Sequence, residues 1–67
     1  MSDMTQTEKR VIIGFADNDM NLSKTARVLH YHPNSLRYHF PRITEKYNLN
    51  PLKFYDLIKL VEMARGE

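Results

Sequence analysis

Asn34 and Arg37 stand three residues apart in a stretch, residues 22–44, that carries Lys24, Arg27, Arg37 and Arg42 and no Asp or Glu. On a helix that spacing sets both side chains on one side. An Asn amide can pair with adenine at N6 and N7, and an Arg fork with guanine at O6 and N7, so the two have the chemistry of base readers. A phosphate contact is as open for Arg37, since a guanidinium matches phosphate geometry equally well. Tyr38 can offer its hydroxyl to a phosphate, its ring to a thymine methyl, or only pack at the helix edge. Ser23, Lys24 and Thr25 open a short helix whose first-turn donors suit a phosphate, although Ser23 can instead serve as the cap. Arg27, Arg42 and Lys46 are flanking cations for the same polyanion, or partners for helix C-termini. Four or five such phosphate contacts make log affinity fall with log salt at a slope of about −4.

Other chemistries fit less well. His30, His32 and His39 lie in the same stretch, but no carboxylate stands between residues 20 and 44 and there is no Cys, so we expect no metal site. His32 reads better as a helix cap or a DNA contact. Ser, His and Asp occur without a nucleophile elbow, a phosphate loop or a paired catalytic carboxylate motif, so no enzyme and no cofactor are expected. The four Met residues are scattered and form no cofactor box.

Charge follows the same division. Net charge is only +2, yet residues 1–21 hold two basic and four acidic residues, residues 22–44 four basic and none acidic, and the remainder four of each. A cationic block of this kind suits a polyanion, or else is a solvated face. No apolar run approaches the roughly 18 residues of a membrane span and no leader precedes the first helix, so a cytoplasmic chain is expected. At 67 residues there is room for one domain, with residues 1–4 as a disordered tail. Without disulfides, its stability must come from packing or from a partner chain.

Helices must position these side chains. Thr5 and Glu8 have capping-box spacing, opening a helix from about Gln6 to Asp17 whose Val11, Ile12, Phe15 and Ala16 form one stripe. Asn18, Asp19 and Asn21 break it. Ser23 is the expected cap of a two-turn helix ending near His30, with Thr25, Ala26 and Leu29 turned inward. His32 and Pro33 restart the chain as a helix, Leu36, Phe40 and Ile43 line its inner face, and Pro41 predicts a kink or break between Phe40 and Arg42. Asn50 and Pro51 predict the start of a last helix, running to Arg65, with Phe54, Leu57, Ile58, Val61 and Ala64 at helical spacing. No strand is evident. The expected fold is all-α, a small helix-turn-helix domain of four to five helices with its core motif at residues 22–43.

Two short helices joined by a tight turn, with the small Ala26 at their crossing and Tyr31 turned toward the core, make the pattern of a helix-turn-helix reader. The segment LSKTARVLHYHPNSLRYHFPRI, Leu22 to Ile43, resembles the C-terminal helix-turn-helix domain of PucR and CdaR-type bacterial transcription regulators and, more distantly, the DNA-binding end of Fis. Asn21, Leu22, Thr25, Ala26, Leu29, His32, Asn34, Ser35, Leu36, Arg37, Tyr38 and Ile43 carry the likeness, with Phe15 and Asn18 just upstream. The resemblance implies DNA binding, the shorter helix at the backbone and the next in the major groove. His32, Asn34, Ser35, Arg37 and Tyr38 are then the candidate base readers. The chain departs from the family at Pro33, where Arg is common, at Pro41, and at His30, where many helix-turn-helix proteins have Gly. Larger family members carry upstream sensing regions, so any sensor is expected on a separate segment or partner protein.

The leading expectation is a sequence-preferring module for double-stranded DNA that works as a homodimer, since paired half-sites multiply modest specificity. Leu52, Phe54, Tyr55, Leu57, Ile58, Leu60, Val61 and Met63 are numerous enough that some can face a second chain, or else all close the domain's own core. The competing class is a helical protein-interaction module without DNA binding.

Overall fold

The computed structural model describes residues 4–66. Residues 1–3 of the expected tail lie outside that range, whereas Met4 is buried in the core, so the tail does not include it. Four helices are present: α1 (Gln6–Asp17), α2 (Leu22–Leu29), α3 (Pro33–Tyr47) and α4 (Phe54–Arg65). No strand occurs among the described residues, and no helix there is long and apolar enough to cross a membrane.

The start of α1 is set by the capping box: the Glu8 N–H donates to Thr5 Oγ1 at 3.1 Å and the Thr5 N–H to Glu8 Oε1 at 2.9 Å. Its end is a Schellman turn. Asp19 and Met20 are left-handed, with φ of 59° each, and the Met20 N–H reaches back to the Phe15 carbonyl at 2.8 Å. The same device closes α2, where His30 has φ 62° and the Tyr31 N–H bonds the Ala26 carbonyl at 2.8 Å. That turn directs the chain straight into α3, so α2 and α3 cross within a three-residue connection.

Helix α2 begins earlier than expected, and Ser23 is not its cap. Asn21 holds that place, its Oδ1 accepting the Lys24 N–H at 2.9 Å, because the turn leaves Asn21 extended (φ −96°, ψ 110°) just ahead of the first free donors. Eight residues are too few for a helix to persist alone in water. Thr25, Ala26 and Leu29 hold it by packing against α1 and α3, and Gly14 of α1 lets it approach closely: a Cβ there would stand 3.0 Å from Leu29 Cδ1.

The break expected at Pro41 does not occur, and α3 continues to Tyr47. Pro41 lies on the exposed side, where water can serve the carbonyl it leaves unpaired. Phe40 and Ile43 are buried on either side of it, at about 1.5–3 kcal/mol each, enough to offset the roughly 3 kcal/mol an interior Pro costs. The last helix starts at Phe54, not Pro51. Asn50 spends its side-chain oxygen on the Leu52 N–H at 2.9 Å, closing a turn over the buried Pro51, and Lys53 becomes the helix cap residue.

The core gathers Val11, Ile12 and Phe15 of α1, Ala26 of α2, Leu36, Phe40 and Ile43 of α3 and Leu57, Leu60 and Ala64 of α4. Phe15 and Phe40 meet at 4.8 Å between ring centroids. Helix α4 packs on α1 and makes no comparable contact with α2 or α3, so the α2–α3 pair is left uncovered on its outer side.

Candidate nucleic-acid interface

Leu36, Phe40 and Ile43 anchor α3 from behind, and the residues between them point away from the core. Asn34, Tyr38 and Arg42 follow one another at i, i+4 and i+8 and form an outward row, with Ser35 and Arg37 exposed beside it. All the residues singled out as base readers are therefore exposed together at the start of one helix. Arg37 Nη1 donates to Asn34 Oδ1 at 3.0 Å. The Arg42 guanidinium lies 5.0 Å from the centroid of the Tyr38 ring, a cation–π pair, and Tyr38 is 60% exposed, so its ring stands out from the helix instead of packing into it. His32 caps the helix, its Nδ1 accepting the Asn34 N–H at 3.1 Å, with Pro33 in the first helical position. Tyr31 is only half-buried; its ring lies 5.5 Å from the Arg10 guanidinium.

The phosphate candidates divide. Ser23, Lys24 and Arg27 are exposed on the outer side of α2, and Arg42 is exposed on α3. Thr25 is not available. Its side chain is fully buried and its hydroxyl donates to the Asn21 carbonyl at 2.7 Å, the position an inward-facing residue of a two-turn helix must take. Lys46 is also turned elsewhere, its Nζ 3.2 Å from Glu8 Oε1 at the opposite end of α3 from the reading turn.

That far end is a polar knot that local patterns do not disclose, because its members are 38 and 39 residues apart. Glu8 receives the Thr5 N–H, the Tyr47 hydroxyl at 2.7 Å and the Lys46 ammonium, and so ties the start of α1 to the end of α3. Burial pushes the Glu8 carboxyl up, but the Thr5, Tyr47 and Lys46 bonds more than offset it and hold its pKa below the ordinary 4.5. Tyr47 is raised by burial and by its bond to Glu8, and Lys46 by its bonds to Tyr47 and Glu8. The second feature missed is Gly14. Its signal was present, since a Gly inside a helix costs about 1 kcal/mol against Ala and invites a packing reason. Among the described residues no cluster of three His, Cys, Asp or Glu could hold a metal ion.

A short helix crossing a second one through a tight turn, with the second exposing polar and cationic side chains, defines a helix-turn-helix domain of the DNA-binding class. The family model of the PucR C-terminal helix-turn-helix domain matches residues 10–62, and the chain belongs to that family. Membership makes it a DNA-binding domain of the kind found in transcription regulators, typically not an enzyme, with double-stranded DNA as its partner. No curated protein and no solved structure matches the chain.

Proposed function

We propose that this chain is the sequence-preferring DNA reader of a bacterial transcription regulator, with the first turns of α3 in the major groove. The observation that carries the reading is the exposed row on α3 (Asn34, Tyr38 and Arg42, with Ser35 and Arg37 beside it), backed by three buried residues and set in a stretch free of acidic side chains. Asn34 and Arg37 read base edges, His32, Ser35 and Tyr38 border them, and Ser23, Lys24, Arg27 and Arg42 hold phosphates. Counting the three cations of that phosphate set, Lys24, Arg27 and Arg42, counterion release gives a salt slope of about −2.7 per chain, shallower than the slope of about −4 for four or five phosphate contacts. Duplex binding measured by fluorescence anisotropy from low to high salt tests this. Absence of affinity for any duplex at low salt rules the reading out.

We further infer that the working unit is a homodimer joined through α4. Phe54, Tyr55 and Ile58 are 59%, 77% and 41% exposed beside a groove between α1, the turn after it and α4, lined by Ala16, Met20 and Val61 with Asp19 and Glu62. Large apolar side chains exposed together beside one groove suit a partner surface. Because α4 packs on α1 alone, a partner there leaves the α2–α3 side open to DNA. Sedimentation of the protein with Ile58→Lys and Tyr55→Lys together is expected to show a lighter species than the parent; unchanged mass rejects this interface. The same face could serve a different protein, such as a separate sensor, in which case the parent itself sediments as a monomer.

A further inference from the structure

The contact between Arg37 and Asn34 constrains which bases α3 can select. An arginine carries donors and no acceptor, so the amide atom 3.0 Å from its Nη1 must be the Asn34 oxygen, and the amide nitrogen is the atom that remains to donate to a base. An asparagine that reads adenine needs that oxygen to accept from the N6 amino group. Here one lone pair of that oxygen is taken by a cation, and amino hydrogens approaching the other would meet like charge. His32 adds to the pattern. Its Nδ1 accepts the Asn34 N–H, so the neutral ring carries its proton on Nε2, which becomes a further donor at the same end of the helix. No Asp or Glu between residues 20 and 44 supplies a carboxylate to accept from cytosine N4.

We propose that the first turn of α3 is a donor surface that selects base edges carrying acceptors and no amino donor: guanine, through O6 and N7, opposite Arg37, and guanine or thymine, not adenine, opposite Asn34. The proposal rests on the reading of α3 as the major-groove helix. Arg37 and Asn34 act as one unit: the pair is weak in water, and the guanidinium holds the amide oxygen once the DNA excludes water from it.

The test is selection of binding sites from random duplexes by the 67-residue chain, repeated with Asn34→Ala and with Asn34→Asp. The position whose preference vanishes in Asn34→Ala is the one Asn34 reads, and it is expected to be guanine or thymine. Placing adenine there in a defined duplex is expected to lower the parent's affinity about 5- to 150-fold, the span of one good base contact. Replacing the guanine opposite Arg37 with 7-deazaguanine, which lacks the N7 acceptor, is expected to weaken binding about 5-fold or more. Asn34→Asp keeps a good helix-start residue and supplies an acceptor, so its selected base is expected to move to cytosine or adenine. Adenine or cytosine at the Asn34-dependent position, or a consensus untouched by both variants, overturns the proposal. A parent chain that binds duplex DNA without any consensus overturns the major-groove reading itself, and the proposal falls with it.

Discussion

Replacing Arg37 by Ala separates base reading from phosphate binding at the centre of the interface. Arg37 is exposed and its hydrogen bond is to Asn34, one turn away on the same helix. Breaking such an i, i+3 pair costs about 0.2–0.5 kcal/mol, and the better helix propensity of Ala returns part of that, so far-UV circular dichroism and Tm are expected to stay nearly unchanged. Binding is a different matter. A base-reading Arg supplies about 1–3 kcal/mol of discrimination, so affinity for a selected site is expected to fall about 5- to 150-fold while affinity for a scrambled duplex falls far less. Arg37→Lys sharpens the comparison, because an ammonium keeps the charge and loses the planar fork. It is expected to keep the salt slope and still lose discrimination. Anisotropy titrations of both duplexes at several salt concentrations read all of these quantities. If Arg37→Ala weakens both duplexes by the same factor and flattens the slope by about 0.9, Arg37 holds a phosphate and the assignment of this turn to base edges is refuted.

Three further outcomes follow from the packing. Gly14→Val is expected to cost about 1–3 kcal/mol in urea unfolding, because even a Cβ there stands 3.0 Å from Leu29 Cδ1 at the α1–α2 approach. His30→Gly is expected to stabilise the domain by about 0.5–1 kcal/mol, raising Tm by a few degrees, since His30 is held at φ 62° with an exposed side chain. Glu8 has a folded pKa below its ordinary value, so its contribution is in full force above the ordinary carboxylate range and is lost as pH falls through the lowered value. Glu8→Gln keeps the cap geometry and removes the charge. Stability followed by Tm against pH is therefore expected to show a shallower acid limb in the variant; an unaltered limb means the knot contributes nothing to it.

The helices themselves were legible because their signals are local. The capping box at Thr5 and Glu8, the apolar stripe of Val11, Ile12 and Phe15, and Pro33 as a first helical residue each act within a turn or two of chain, and each appears where its spacing put it. The outward placement of Asn34 and Arg37 follows from helical periodicity alone, with Leu36 and Phe40 on the inner face. Where two local signals competed, tertiary structure chose between them. Ser23 and Asn21 are both good caps, and the left-handed turn at Asp19 and Met20 gave the place to Asn21. Asn50 could have opened a helix, but its oxygen closed a turn instead.

Sequence by itself determined that the chain is helical, that its cations cluster in residues 22–44, and that the small Ala26 is turned inward on α2. Those properties depend on neighbours a few residues apart. What it left open depended on partners far along the chain. Pro41 was absorbed into a continuous helix because buried Phe40 and Ile43 on either side of it outweigh one lost hydrogen bond. Lys46 left the interface because Glu8, 38 residues earlier, lies against it, and Thr25 left it because a helix of two turns must commit its few inward positions to the core. Only the packed structure supplies the low-dielectric surroundings and the distant contacts that settle such choices.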